Sequence, residues 1–130
     1  MYAATPAHSS LAYFRWAVKN PPSDPTTSFK GKTVLITGAN TGLGFEAALK
    51  FAKLGASKII FGVRSLERGE AARAKIYAAL TSQFDPDLIE IIKLDMSDFS
   101  SVKEFAKQVS STSPNIHIAV LNAGMAPIAY

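Results

Sequence analysis

The sequence contains no cysteine, and this absence excludes several kinds of chemistry at once. A disulfide framework, a thiolate nucleophile and a zinc ribbon all need cysteine, so the composition fits a reducing compartment and predicts a cytoplasmic protein. Long apolar runs are absent too, since no stretch approaches the roughly 20 residues that span a bilayer. Arg15 interrupts the one candidate for a secretory leader, residues 11–18, so we expect none.

The sequence also has no large excess of charge of one sign. The 130 residues include 14 Lys and Arg against 10 Asp and Glu, for a net charge of +4, and the two signs are interleaved along the chain. Nucleic-acid-binding proteins usually carry a concentrated basic patch, so we expect no nucleic-acid partner. With 48% hydrophobic residues, the chain is long enough to bury about two thirds of its unfolded surface as one domain.

Candidate metal ligands are few, because the sequence holds only 2 histidines and no cysteine. His117 lies among apolar residues in the run from Ile116 to Leu121, and no second ligand or nucleophile stands at a matching spacing. We therefore predict that His117 is a core or interface histidine, and we expect no metal site.

An amphipathic segment lies near the N-terminus. Leu11, Phe14 and Val18 recur at the spacing of one helical face. The simplest interpretation is a short helix docked on the domain through this face. The alternative is peripheral attachment of residues 10–19 to a membrane surface.

The chain divides into an extension and a domain. Residues 1–29 contain the short helix, with Ser9 or Ser10 as its cap, and a linker from Asn20 to Ser28 that holds three prolines. Residues 30–130 are predicted to form the folded domain, because periodic apolar segments begin there.

Strands and helices alternate through this domain. The predicted strands are 34–36, 58–63, 88–94 and 116–121. The predicted helices are 42–54, one that Ser65 caps and that runs to about Leu80, and one capped by Ser97 or Asp98. This β-α-β-α-β-α-β order is typical of an α/β protein with right-handed crossovers. We predict the N-terminal half of a doubly wound Rossmann parallel sheet with strand order 3-2-1-4.

The inner faces of two of these helices follow from apolar spacing at three and four residues. In the first helix of the domain we expect Leu43, Ala47, Ala48 and Phe51 to face the sheet, and in the last we expect Phe99, Val102, Ala106 and Val109. Gly55 stands where a left-handed C-terminal cap belongs.

Three glycines follow the first apolar run, at positions 38, 42 and 44. Glycine permits a tight turn, a close approach of the backbone to a diphosphate, and close packing of the next helix on the strand. The helix then begins with its amide groups directed at the anion. The pattern therefore predicts a phosphate cradle.

Polar residues stand at the carboxyl ends of the other predicted strands, where ligands of such sheets bind. Arg64 lies 20 residues beyond Gly44, where a site that prefers NAD has an acidic residue for the ribose 2′-hydroxyl. A guanidinium there suits the 2′-phosphate of NADP. The alternative is a solvated arginine paired with Glu67 or Glu46.

Two further strand ends carry short polar side chains. Asp95 is a candidate acceptor for the exocyclic amine of adenine, and the alternative is a turn or helix-capping carboxylate. Asn122 suits the turn that lines the nicotinamide ribose, and a purely structural asparagine is the alternative.

These residues resemble the motifs of the short-chain dehydrogenase/reductase family. The segment Thr37 to Gly44 matches its Thr-Gly-x-x-x-Gly-x-Gly fingerprint, Asp95 its adenine-site aspartate, and residues 122–124 its Asn-Ala-Gly turn. Val63-Arg64-Ser65, with Arg68-Gly69-Glu70, looks like the NADP-preferring branch that includes retinol dehydrogenases and protochlorophyllide reductases.

The resemblance implies NADP(H) as cofactor and a set of residues that bind it. That set is Gly38, Asn40, Thr41, Gly42, Leu43, Gly44, Arg64, Asp95, Asn122 and Gly124.

The resemblance also implies hydride transfer between NADPH and a carbonyl or alcohol, with a Ser and a Tyr-x-x-x-Lys pair that follow a fifth strand in the family. None of the four tyrosines has a lysine four residues later: Tyr2, Tyr13 and Tyr77 are followed by Pro6, Ala17 and Thr81, and Tyr130 is the last residue. No catalytic residue is therefore assigned. We expect the cofactor-binding portion of a truncated or split reductase, inactive alone.

The strand 116–121 becomes an edge in this topology. A long apolar edge strand favours pairing with a partner chain or a second copy, or aggregation. The alternative function is therefore a non-catalytic interaction module that pairs through this edge.

Overall fold

A four-stranded parallel sheet organises the part of the chain that the computed structural model describes, residues 10–81 and 84–124. The helices are α1 (Ser10–Lys19), α2 (Gly42–Lys53), α3 (Leu66–Ala79) and α4 (Phe99–Thr112), and the strands are β1 (Thr33–Thr37), β2 (Lys58–Val63), β3 (Ile89–Lys93) and β4 (Ile118–Val120). The strand order is β3-β2-β1-β4. The predicted α/β fold and strand order are confirmed.

The two central strands form the core of the sheet. β1 pairs with β2 in parallel, with Val34 opposite Ile59 and Leu35 opposite Ile60. Alternate residues point to opposite faces, so Ile59 packs with α2 and α3 while Ile60 packs with α4. Because helices cover both faces, these strands are apolar without alternation.

α2 ends as the sequence predicts. Gly55 has a φ of +83°, its N–H donates to the carbonyl of Ala52, and the N–H of Ala56 donates to the carbonyl of Phe51. This is the Schellman arrangement, which satisfies the last carbonyls of a helix. The other two helices of the domain begin with side-chain caps, Ser65 for α3 and Asp98 for α4.

The predicted inner faces of α2 and α4 are partly wrong. Leu43 is 82% exposed and Phe99 is 87% exposed. Both lie in the first turn of a helix that follows a parallel strand, beyond the carboxyl ends of the strands, where no sheet residue lies beneath them. In α4 the buried residues are Phe105 and Val109, and Ala106 is exposed.

β4 is shorter than predicted. The sequence predicts a strand over residues 116–121, whereas only Ile118–Val120 pair with β1. Ile118 and Val120 are half-buried and Ala119 is exposed. The strand is an edge of the described sheet, as expected, but it is not the long edge that we predicted, and pairing with a further chain stays a prediction.

His117 is not buried in the core. It is an exposed residue immediately before β4, its N–H donates to the carbonyl of Thr33 over 3.0 Å, and its Nδ1 accepts from the N–H of Thr33 over 2.9 Å. Of the two predicted roles, the core histidine is therefore wrong, and the interface histidine stays a prediction. The side chain instead continues the hydrogen bonding between β4 and β1 at its first residue.

The N-terminal helix does not dock through its apolar face. α1 has no buried residue, and Leu11, Phe14 and Val18 are exposed. The predicted docking is therefore wrong, and the candidate cap Ser9 lies outside the described residues. Within those residues, no helix has the length and hydropathy needed to cross a bilayer.

The linker after α1 is anchored at its far end. Residues 21–29 form neither helix nor strand. Asp24 pairs with Lys50 of α2. The ring of Phe29 packs edge-on against Phe51, with centroids 4.9 Å apart.

Candidate cofactor site

A cleft opens at the carboxyl ends of the strands, with a volume of about 390 Å³. Most of its lining residues come from the turns after the four strands, with Gly62 from β2 and Arg68 from α3. The lining residues are Gly38, Asn40, Thr41, Gly62, Arg64, Ser65, Arg68, Leu94, Asp95, Met96, Ser97, Asn122, Ala123 and Gly124. Seven of the ten predicted site residues lie on this wall. The other three, Gly42, Leu43 and Gly44, belong to the start of α2 and do not line the cleft.

The turn between β1 and α2 depends on glycine. Gly38 has a φ of +69° and Gly42 a φ of +57°, and side chains rarely adopt this left-handed region. The N–H of Gly38 donates to the carbonyl of Gly62 over 2.8 Å, which ties the turn to β2. The side chain of Thr41 makes no capping bond to α2. The first turn of this helix therefore begins at the cleft without the side-chain cap that α3 and α4 have.

Gly44 has a packing role. A Cβ at this position would lie 2.6 Å from Nδ2 of Asn122 and 3.0 Å from the carbonyl carbon of Gly38. Real Cβ contacts are longer than this, so only glycine lets α2 approach the turn so closely. Gly44 thus shapes the cleft from behind its wall.

Asn122 connects the end of β4 to the end of β1. Its Nδ2 donates to the carbonyls of Thr37 and Gly38 over 3.2 and 3.3 Å. The hydroxyl of Thr37 accepts from the N–H of Ala123 over 3.0 Å. We call these contacts of Thr37, Gly38, Asn122 and Ala123 the Asn122 clamp. It has the structural role that the sequence left as an alternative, and Asn122 lines the cleft at the same time.

Two arginines stand on the side of the cleft formed by β2 and α3. Arg64 is exposed, and the ion pairs among the described residues do not include the alternatives proposed from sequence, Glu67 and Glu46. Ser65 caps α3 by accepting from the N–H of Arg68 over 3.3 Å. The cap brings Arg68 to the cleft one helical turn after Arg64.

Asp95 combines both sequence interpretations, because it lines the cleft and organises a turn. Its Oδ1 accepts from the hydroxyl and the N–H of Ser97, over 2.6 and 3.0 Å. The hydrogen bond from this hydroxyl is the main reason that the pKa of Asp95 lies below its ordinary value. The positive charges of Arg64 and Lys93 lower that pKa further. Asp95 is thus stabilised as a carboxylate on the cleft wall.

The wall also contains residues that were not among the predicted site residues: Gly62, Ser65, Arg68, Leu94, Met96, Ser97 and Ala123. Gly62 could have been predicted from the sequence, because a glycine inside a buried apolar strand indicates that another group packs closely against the backbone. A Cβ there would lie 2.9 Å from Cδ2 of Leu94 and 3.0 Å from Cζ of Phe105.

The described residues contain no group of three or more acidic or histidine side chains placed to hold a metal ion.

Comparison with known proteins identifies the class of protein that this fold and cleft define. A family model described as short chain dehydrogenase matches residues 32–129. The chain therefore belongs to the short-chain dehydrogenase family.

Among its relatives are two fungal proteins. The chain is 58% identical over 127 residues to the short-chain dehydrogenase/reductase ffsI of Aspergillus flavipes, covering 98% of this chain and 37% of that protein. It is 57% identical over 129 residues to the short-chain dehydrogenase/reductase phmF of Phaeosphaeria nodorum, covering 99% of this chain and 38% of that protein. The chain thus spans little more than a third of the length of these relatives.

Solved structures of related enzymes share the fold. The C-domain of a bacterial malonyl-CoA reductase, crystallised with NADP, superposes with a TM-score of 0.67 at 28% identity, covering 78% of this chain and 16% of that one. Menthone neomenthol reductase from Mentha piperita superposes with a TM-score of 0.65 at 32% identity, covering 72% of this chain and 32% of that one. The family consists of oxidoreductases that bind nicotinamide cofactors. These similarities do not favour the alternative function, a non-catalytic interaction module.

Proposed function

We propose that residues 30–130 are the NADP(H)-binding half-domain of a short-chain dehydrogenase/reductase, with residues 1–29 as an extension. The complete enzyme would transfer hydride between NADPH and a carbonyl or alcohol. The observation that carries the proposal is that Arg64 and Arg68 stand on the wall of the same cleft as the glycine turn. No residue of this chain is assigned a catalytic role.

The start of α2 would receive the diphosphate. Gly38, Asn40 and Thr41 line the cleft directly before α2, Gly38 and Gly42 adopt left-handed backbone, and Thr41 makes no side-chain cap. Main-chain N–H groups at a helix start, together with the positive end of the helix dipole, favour an anion. Asn40, Leu43 and the packing of Gly44 complete the proposed cradle.

Arg64 and Arg68 would select NADP over NAD. A guanidinium forms forked, charge-assisted hydrogen bonds with a phosphate, and two of them one helical turn apart create a positive wall. Among the described residues, the wall on this side offers no carboxylate except Asp95, which stands after the neighbouring strand β3. The malonyl-CoA reductase domain of similar fold was crystallised with NADP, which supports the same choice here.

Asp95 and the Asn122 clamp would hold the two ends of the cofactor. Because Ser97 engages Oδ1 of Asp95, Oδ2 is the proposed acceptor for the exocyclic amine of adenine. Asn122 and Gly124 would form the turn beside the nicotinamide ribose. When bound, NADPH would supply the hydride, and the residues of this chain would only bind and orient it.

Arg64→Ala tests the 2′-phosphate contact. We expect the affinity for NADPH to fall by roughly 1 to 3 kcal/mol, the value of a charge-assisted hydrogen bond, while the affinity for NADH changes little. Isothermal titration calorimetry with both cofactors measures the difference. Arg15→Ala removes the same side chain from α1, away from the cleft, and should leave both affinities unchanged. Equal losses for NADPH and NADH in Arg64→Ala would rule out the contact.

A further inference from the structure

α1 presents an uncovered apolar strip to solvent. Leu11 is 68% exposed, Phe14 65% and Val18 81%. These side chains follow one another at three and four residues, so they form a continuous row along one side of the helix. We call this row the α1 strip. Water contact with such a row is unfavourable, because apolar area in water costs free energy.

The charge beside the α1 strip has one sign. Arg15 and Lys19 stand one helical turn apart, each directly after a residue of the strip, and α1 has no acidic residue. Residues 1–23 contain neither Asp nor Glu. The first acidic residue, Asp24, is paired with Lys50 of α2, so it does not neutralise the helix.

We propose that α1 lies on the surface of a bilayer that contains anionic lipid. The α1 strip would enter the boundary between headgroups and acyl chains, and Arg15 and Lys19 would reach the lipid phosphates. An apolar row bordered by basic side chains is the pattern of helices that lie in the membrane interface. Since no described helix can cross a bilayer, α1 would lie along the surface.

A second copy of the chain fits this surface less well. A helix of 10 residues is about 15 Å long, which is too short to supply the roughly 800 Å² per partner of a stable protein interface. Pairing two strips would also bring two sets of Arg15 and Lys19 together. An anionic membrane fits both features, because its acyl chains contact the α1 strip and its headgroups attract Arg15 and Lys19.

The geometry lets α1 reach a membrane without blocking the cleft. The linker is anchored near the end of α2, where the N–H of Phe29 donates to the carbonyl of Leu54 over 2.9 Å. That end of α2 lies opposite the carboxyl ends of the strands, where the cleft opens. This proposal goes beyond cofactor binding and does not depend on it.

Co-sedimentation of the 130-residue chain with vesicles tests the proposal. We expect binding to equimolar phosphatidylserine and phosphatidylcholine, weak binding to phosphatidylcholine alone, and a decline as salt screens the charges. No binding to the anionic vesicles would overturn the proposal. Equal binding to both vesicles would overturn the role of Arg15 and Lys19.

Two matched pairs of variants localise the binding. Phe14→Asp should lower the partition coefficient by about tenfold or more, whereas Phe99→Asp, at a still more exposed phenylalanine of α4, should not. Arg15→Glu with Lys19→Glu should have a similar effect. Lys103→Glu with Lys107→Glu reverses two charges at the same spacing on α4.

Equal losses in the α4 variants would show attraction to the whole protein and would overturn the assignment to α1. Light scattering distinguishes a second copy as the occupant: a concentration-dependent dimer that Phe14→Asp abolishes would also overturn the proposal. Circular dichroism should show the same fold in every variant, since α1 and the exposed positions of α4 contribute no buried side chain that these changes remove.

Discussion

The two edge strands of the sheet are held in different ways. β3 has five residues and packs against both α3 and α4, with Ile89 only 1% exposed and Ile92 5% exposed. β4 has three residues, of which Ile118 and Val120 are half-buried. Burial of apolar area therefore stabilises one edge much more than the other.

Polar contacts at its two ends take the place of burial in β4. His117 and Thr33 exchange two hydrogen bonds before the strand, and the Asn122 clamp joins its other end to β1. A hydrogen bond contributes about 0.5 to 1.5 kcal/mol net, less than a buried isoleucine. The wall of the cleft beside β4 is thus the less stable wall, although it carries the Asn-Ala-Gly turn.

Matched isoleucine truncations test this difference most directly. Ile89→Ala in β3 should lower the free energy of unfolding by about 2 to 5 kcal/mol, because it leaves a cavity under α3. Ile118→Ala in β4 should cost about 1 kcal/mol, since its side chain is only half-buried. Urea denaturation measures both. Equal losses would show that both edges are covered equally and would contradict the comparison.

Asn122→Ala should lower the free energy of unfolding by about 1 kcal/mol, as Ile118→Ala does, because it removes the hydrogen bonds to Thr37 and Gly38 but little apolar area. The affinity for NADPH should fall as well, since the end of β4 then loses its position. Calorimetry and urea denaturation give the two values. Asn115→Ala, in the exposed loop before β4, serves as the control and should change neither. An unchanged affinity in Asn122→Ala would show that the clamp does not position the cleft.

Acid should also act on the connection from β3 to α4, and this is the smallest effect that we expect. The connection from β3 to α4 holds Asp95 and Asp98, and hydrogen bonds from the hydroxyls of Ser97 and Ser100 hold the pKa of each carboxyl below its ordinary value of 3.8. A lowered pKa in the folded state stabilises the fold fully above the ordinary value, and this stabilisation is lost as the pH falls through the folded value. The Asn122 clamp contains no group that titrates in this range.

The melting temperature between neutral pH and about pH 3 measures this effect. The double variant Asp95→Asn with Asp98→Asn should show a shallower decline below about pH 4 than the unaltered chain. Asparagine also caps helices well, so the change mainly removes the titrating charge. Superimposable pH profiles would contradict a role for these two carboxylates.

Local chemistry made much of the fold predictable. Ser65, Asp98 and Gly55 terminate helices through contacts within a few residues, and the structure has all three where the sequence placed them. The order of strands followed from the alternation of apolar segments and from the handedness of crossovers. The meeting of Gly38, Arg64, Asp95 and Asn122 at one cleft followed as well, since carboxyl ends of parallel strands share one edge.

Contacts between distant segments decided the rest. The length of β4 depends on how far β1 can pair with it, and Nδ1 of His117 found its donor 84 residues away, at Thr33. The exposure of Leu43 and Phe99 depends on where the sheet ends beneath each helix. The glycine motif predicts close packing of α2, but the spacing within it does not show that Asn122 is the side chain that requires glycine at position 44.

The sequence by itself determined the kinds of elements, their order, their caps and the family, because each of these depends on residues within a turn or on a motif in register. The tertiary structure alone decided which apolar side chains are buried and which, as in the α1 strip, stay exposed. It also decided which polar groups join β4 to β1. Burial and long-range hydrogen bonds are properties of pairs of segments, so they exist only once the segments meet.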